Sequence, residues 1–453
     1  MLLRVRLALI ALVAPALVAI LWSATARAGN DDQLPVGSEA ALYGGAVIAT
    51  VSDGAAGYQN PAGLAQSQRS QVDASITAVG FRFYHVPELL RSTSGESAGT
   101  TVMELALVPT AGTFTRRLSK QVVASFGIFS PRTQFIILQQ SLKLANPAPQ
   151  GTNWNLAVNS IVFTYLIGPS IAWQPSRRFS VGASLHVLYN FEDTSAQASG
   201  GEGATGDFPP RQPFVGNSEL FVRTTYGFQL GWGFQWQISD AYRLGFQLQS
   251  PGMQVLSWRQ TSQVLGVSLP VTAAGPSSLH ALETSGGFRG KFQAVLPLRA
   301  GVGLARYFKW GHIELDAALQ SGLPPNDLGV ARHALVNGRV GVSYVVSKSM
   351  SIGGGLFSDL SGAEASSFGR TAVDMFGGTI GLSSGTERHL AAGEAAPSLI
   401  FSSTLALRYA YGKGSFGGLE VAPIAPGSPV VRNVPTDMSI HELMLTFGSA
   451  LNF

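Results

Sequence analysis

The sequence predicts an all-β fold: a transmembrane antiparallel β-barrel of about 14 strands, closed around its own N-terminal segment. Three observations carry that expectation. Long runs alternate with period two, connections alternate between tight and long, and the last alternating segment ends the chain on Phe453.

Alternation is longest between Phe221 and Ile238. One parity holds Val222, Tyr226, Phe228, Leu230, Trp232, Phe234 and Trp236, and the other holds Arg223, Thr225, Gly227, Gln229, Gly231, Gly233 and Gln235. Successive side chains of a strand point to opposite faces, so this is a strand with one apolar and one wet side. The same split recurs at 179–192, 242–249, 298–308, 339–346 and 401–412. A soluble sandwich would put its large aromatics inside and would rarely need strands beyond about ten residues. A wet face of Gly, Ser, Gln and Arg opposite an aromatic-rich face suits a barrel whose apolar side faces lipid.

Tight connections are expected at 116–120, 174–178, 238–241, 308–311 and 347–349, with a looser one near 387–397. Long ones are expected at roughly 86–101, 131–152, 193–217, 261–290, 322–336, 361–372 and 413–437, and the Gly-rich 193–217 stretch reads as a loop. Short periplasmic turns against long outer loops give the strand count. In the closing segment His441, Leu443, Leu445, Phe447, Leu451 and Phe453 share one parity. Such an ending resembles the C-terminal signal by which bacterial outer-membrane barrels are recognised as an added strand edge, so the barrel assembly machinery is an expected partner through Phe453.

The rest of the composition narrows the class. Residues 1–28 read as a signal peptide: Arg4 and Arg6, an apolar run from Leu7 to Trp22, then Ala26 and Ala28 in cleavage-site spacing. An uncleaved anchor is the alternative, against which the run is shorter than the roughly 20 residues a spanning helix needs. Residues 29–70 then form an N-terminal hatch or plug and 71–453 the barrel. The hatch has no amphipathic pattern able to stand alone and carries Gly44, Gly45, Gly54, Gly57 and Gly63. Cysteine is absent, which removes disulfides and thiolate metal sites. Charged residues make up 12% of the 453, and the net charge of +4 is spread along the chain, so nucleic acid is not an expected partner. No nucleophile elbow, zinc helix, P-loop or acidic calcium loop occurs; an enzyme, a metal and a cofactor are not expected.

Five arginines fall on the wet parity: Arg223, Arg243, Arg299, Arg339 and Arg408. A guanidinium fork suits a carboxylate or sulfonate, and equally a lumen Asp or Glu. Two apolar stretches lie in predicted outer connections. Residues 131–147, with Phe135, Ile137, Leu138 and Leu142, read as an amphipathic helix near the mouth, and 251–271 adds Met253, Leu256 and Trp258. Both mark capture of apolar ligands or contact with lipid, or else the upper ends of long strands.

The stretch 37–66, "GSEAALYGGAVIATVSDGAAGYQNPAGLAQ", resembles the opening of the FadL/TodX group of outer-membrane long-chain fatty-acid and aromatic-hydrocarbon transporters. In that group a Gly- and Ala-rich lead with an aspartate runs into an Asn-Pro-Ala turn, matched here by Asp53, Asn60, Pro61 and Ala62. Residues 124–135 and 297–308 are similar to its third strand and its mid-barrel strand. The resemblance implies a hatch inside a 14-stranded barrel, a lumen pocket for apolar ligand, and sideways exit at a kinked third strand. That strand is expected at roughly 119–130, with Gly127 as the weak point. It implies a monomer that takes fatty acids or detergent-like molecules without an energy source. No Lys or Arg lies between Gly29 and Gln68, so an anchoring charge must come from the wall. A docking scaffold for secretion or surface assembly, and a porin for polar solutes, remain as alternatives.

Overall fold

The computed structural model describes residues 34–93, 95–144, 152–202, 214–268, 278–323, 332–362, 371–389, 398–421 and 431–453. The predicted signal peptide and the apices of most of the long connections lie outside them.

Past residue 70 the described chain is strand and turn. The first seven strands are β1 (Gln71–Ser92), β2 (Ser97–Arg117), β3 (Val122–Leu144), β4 (Thr152–Ser176), β5 (Phe179–Glu202), β6 (Phe214–Ser239) and β7 (Tyr242–Gln249). Then come β8 (Gly252–Ser268), β9 (Ser278–Leu296), β10 (Arg299–Phe308), β11 (Gly311–Gln320), β12 (Leu335–Ser347) and β13 (Met350–Asp359). The last three are β14 (Thr371–His389), β15 (Ser398–Val421) and β16 (Val431–Asn452). Strands adjacent in sequence pair antiparallel except β7 with β8 and β9 with β10, β7 pairs with β10, and β1 pairs with β16, so the sheet closes on itself. The five tight turns fall where the sequence puts them, all at one end of the barrel.

Sixteen strands are named among the described residues, against the about 14 expected. The difference arises at two prolines. β6 pairs with β7 through its lower half and with β8 through its upper half, and the chain between them breaks at Ser250–Pro251. β9 descends beside β8 and the chain breaks again at Pro297–Leu298 before β10. Proline cannot donate to a ladder, so each long span is cut in two.

Three stretches expected as connections are strand instead. Residues 131–144 are not a helix at the mouth: they continue β3, so Phe135 and Ile137 point outward, whereas Leu138 and Leu142 are buried in the interior. Met253, Leu256 and Trp258 likewise stand on β8 rather than in a loop, and much of 193–217 is the meeting ends of β5 and β6. A run that is apolar on both parities loses the period-two signal, which is why it reads as helical.

The wall is inverted relative to a soluble protein. Leu105, Leu107, Phe126, Leu230, Trp236, Leu356 and Ile380 are exposed on the outside, while Thr225, Gln229, Gln235, Glu314 and Thr446 are buried within. Burial of polar rows under an exposed apolar belt is stable where the outer solvent is hydrocarbon. Residues 34–70 contribute no strand. They form α1 (Ser38–Leu42), α2 (Ala56–Gln59) and a 3-10 helix (Pro61–Gln66), and they touch the inner faces of strands all around the ring.

Candidate functional site: the lumen and the break beside β3

The N-terminal segment is fastened to the wall by buried hydrogen bonds. Asp316 Oδ2 accepts from the Val47 N–H at 2.8 Å and the Ile48 N–H at 3.0 Å, and Glu314, two residues earlier on β11, accepts from Ala49 N–H and the Thr50 hydroxyl. A turn buried without such acceptors would strand its amides at roughly 1–3 kcal/mol each. Gln247 and Gln249 donate to the Tyr58 carbonyl, Thr379 donates to Leu42 O, and Tyr43 OH donates to Ser343 Oγ.

Asn60 is fully buried and uses both ends of its amide. Its Nδ2 donates to Ile48 O at 2.7 Å and to Phe234 O of β6 at 3.2 Å, and its Oδ1 accepts from Ala62 N–H, capping the 3-10 helix that Pro61 begins. Proline at the first helical position loses no needed donor. Ala62 is fully buried. The wall makes room with glycine. A Cβ on Gly182 would lie 2.3 Å from the Pro61 carbonyl carbon, one on Gly233 2.2 Å from Asn60 Oδ1, and one on Gly355 2.2 Å from Tyr43 O. These glycines are the seats of the segment, a role invisible in the sequence without knowing what lies opposite.

Asp53 holds the segment to itself, accepting from the Glu39 N–H and the Ala55 N–H, while the Glu39 carboxylate accepts from Ser52. Burial first, and then the neighbouring Asp53, push the Glu39 carboxyl up to about 8. A carboxyl raised in the folded state binds its proton more tightly there, so its contribution to stability is whole below the ordinary value near 4.5 and is lost as pH rises through about 8. Leak conductance through the barrel is therefore expected to grow as pH is raised across that window, and Glu39→Gln should flatten the dependence; a profile unchanged by Glu39→Gln would count against it.

Gly127, the expected weak point of the third strand, is not where the pairing fails. Gly127 is regularly paired on both sides, with Thr113 of β2 and Gly168 of β4. Three residues on, the ladder fails: β2–β3 pairing ends at Ala111 and Phe129, and the β3–β4 register shifts between Phe129 and Arg132. Pro109 on β2 and Pro131 on β3 flank the failure, and neither has an N–H to offer. Beyond it the two strands keep their outer partners, β1 and β4, and are bridged by side chains: Glu104 accepts from the Phe135 N–H at 3.1 Å, and Gln140 donates to Gly99 O at 2.6 Å. The N-terminal segment touches this break directly. Leu34 N–H donates to Pro131 O at 3.2 Å, and the Tyr58 ring lies 5.8 Å from that of Phe129, which in turn meets His186 edge-on at 5.3 Å.

The five predicted lumen arginines divide. Arg299 donates to Tyr58 OH at 2.9 Å and Arg339 to Gly45 O at 3.2 Å, so both grip the segment. Arg243 lies over the Tyr307 ring, and Arg223 pairs with Glu192. Arg408 stands 3.9 Å above the Phe357 ring and donates through Nε to Glu442 at 2.8 Å. The arginine that sequence parity missed is Arg82 of β1. Its Nε donates to the other oxygen of Glu442 at 2.7 Å, Nη1 lies 3.8 Å from Glu104, and Nη2 has no hydrogen-bond partner among the described residues. It borders a small cleft of about 20 Å³ together with Tyr84, Gln134, Met375 and Ile440. A neighbouring cleft of about 30 Å³ lies between Leu34, Tyr58, Arg339, Phe357 and Arg408. Toward the long-connection end the inner faces turn apolar, with Leu89, Leu138, Trp154 and Phe416 in one buried cluster. Mixed apolar walls with a few fixed polar groups are what a small-molecule site requires.

No family model matches the chain, and no curated protein matches it in sequence. Solved structures do. A FadL homologue from Pseudomonas aeruginosa aligns over 94% of this chain and 100% of its own, with 11% identity and a TM-score of 0.59. The toluene transporter TodX of P. putida aligns over 92% of this chain and 98% of its own, with 12% identity and a TM-score of 0.54. The toluene transporter TbuX of Ralstonia pickettii aligns over 94% and 99%, with 13% identity and a TM-score of 0.50. A β-barrel with a polar interior, an apolar belt and an N-terminal segment seated within it thus has the fold of the FadL and TodX channels.

Proposed function

We propose that the protein lies in the bacterial outer membrane and passively admits small hydrophobic molecules, long-chain fatty acids or aromatic hydrocarbons. Residues 29–70 act as the hatch, and ligand leaves sideways at the interruption between β2 and β3, around Ser130–Pro131. The observation that carries this is the contact between the two: the same segment that fills the lumen bonds to Pro131 and packs on Phe129. A shift of the segment would release the break beside it. Apolar ligand is taken up where Phe135, Ile137, Leu256 and the buried Leu138 and Leu142 line the upper part of the wall, and a charged headgroup meets Arg82 and Arg408 below. Export by a signal peptide at 1–28, insertion by the assembly machinery through β16 and Phe453, and a monomeric state complete the proposal.

Purification in mild detergent tests it. A fatty-acyl or detergent molecule retained in the lumen, with ion conductance near zero in planar bilayers, is expected. Wide-pore conductance would favour a porin instead, and an empty lumen with a stably bound periplasmic or secreted protein would favour a docking scaffold.

A further inference from the structure

On the outward face, the row along β10 runs Ala300, Val302, Leu304, then Arg306 and Phe308. Val302 is well exposed to the outside, and Leu304 pairs with Leu244 of β7 and Leu315 of β11, so the row belongs to the apolar belt until it reaches a cation. Arg306 is exposed, and no ion pair is found for it among the described residues. Its guanidinium is nevertheless positioned: it lies 4.8 Å from the Phe308 ring centroid and 5.7 Å from that of Tyr242, its cross-strand neighbour. The aromatic surface continues beneath it. Phe308 stacks on Trp310 at 4.9 Å, and Trp310 meets Tyr344 at 6.0 Å. Lys309 stands exposed in the adjoining turn; the acid of the neighbouring turn, Asp240, is engaged by Arg178 at 3.2 Å.

We propose that Arg306 and Lys309, framed by Tyr242, Phe308, Trp310 and Tyr344, bind the phosphate of an anionic glycerophospholipid of the leaflet that surrounds the short-turn end. A cation on the lipid-facing side is tolerated near the interface only where its head reaches polar groups, and Tyr and Trp favour that same level. A guanidinium held by two rings presents its remaining edge as a fork that matches a phosphate. Short turns are periplasmic in such barrels, which places the site in the inner leaflet among phospholipids. Two adjacent cations without a free carboxylate repel the ammonium of phosphatidylethanolamine and favour phosphatidylglycerol. The site lies on the outer wall, away from the lumen, and does not rest on hydrocarbon transport.

Native mass spectrometry of the full chain, titrated with phosphatidylglycerol, phosphatidylethanolamine or lipid A, tests it. Wild type is expected to retain one phosphatidylglycerol about tenfold more tightly than phosphatidylethanolamine, the size of one charge-assisted contact. Arg306→Gln should abolish the preference, Arg306→Lys and Lys309→Gln should each keep part of it, and Arg177→Gln, in the turn between β4 and β5, should leave it whole. Equal retention of the two phospholipids, an Arg306→Gln and Lys309→Gln pair that both behave as wild type, or preferential retention of lipid A would overturn the proposal. Hydrocarbon uptake is expected to be unchanged in Arg306→Gln, which separates this test from that of transport.

Discussion

Deleting residues 29–66 is expected to raise single-channel conductance from near zero by at least about tenfold, because a barrel of this width without its filling leaves an aqueous channel. The wall does not depend on the segment for its own pairing: the described strands hydrogen-bond to one another around the ring, and the segment bonds to inward side chains. Deletion exposes polar groups together with a few apolar ones, Phe129, Leu166 and Leu188 among them. Glu314, Asp316, Gln235 and Gln249 would trade N–H and C=O groups of the segment for water, and with the strand ladder untouched the barrel should still fold. Asn60→Ala is the finer version, removing the bonds to Ile48 and Phe234 while leaving the strands alone. It should alter ligand uptake more than barrel stability. A deletion variant that folds and stays closed would show that the segment does not block the lumen.

Glu442→Leu is expected to destabilise the barrel by about 3–5 kcal/mol, the cost of leaving buried charge unpaired. Glu442 is 2% exposed and its two oxygens are divided between Arg82 and Arg408. Without it the two guanidiniums are left with Glu104, 3.8 Å from Arg82 and already accepting from Tyr84 and the Phe135 amide. Removing Arg82 and Glu442 together should cost less than Glu442 alone, since the pair's own desolvation is relieved. Unfolding in detergent, followed by the loss of heat-resistant migration or by denaturant titration, measures both. Additive losses in the double variant would mean that the trio is not an interacting unit.

Local pattern carried much of the fold and little of the site. Alternation from Phe221 to Ile238 became β6 with Trp232 and Trp236 outside and Gln235 inside, because a strand two-faced between lipid and a wet lumen obeys period two. The same rule failed at Phe135 to Leu138, where lipid lies on one side and the apolar upper lumen on the other, so both parities are greasy. Arg82 carries no local sign of its role, since its partner Glu442 is 360 residues away and joins it only when β16 closes on β1. A glycine such as Gly127 suits a bend for its lack of side chain, yet the ladder fails at the prolines, where a donor is missing rather than a Cβ. The resemblance points to Asp53 and Asn60, but it does not reveal their partners: Asp53 accepts from Glu39 and Ala55 within the segment, and Asn60 reaches Phe234, 174 residues away on β6.

Passive entry of apolar molecules is tested most directly by accumulation of labelled toluene, and separately of labelled oleate, in cells with and without the gene. Uptake of at least one of the two should depend on the protein and should continue when the membrane is de-energised. If neither compound enters faster when the protein is present, the proposed transport is wrong.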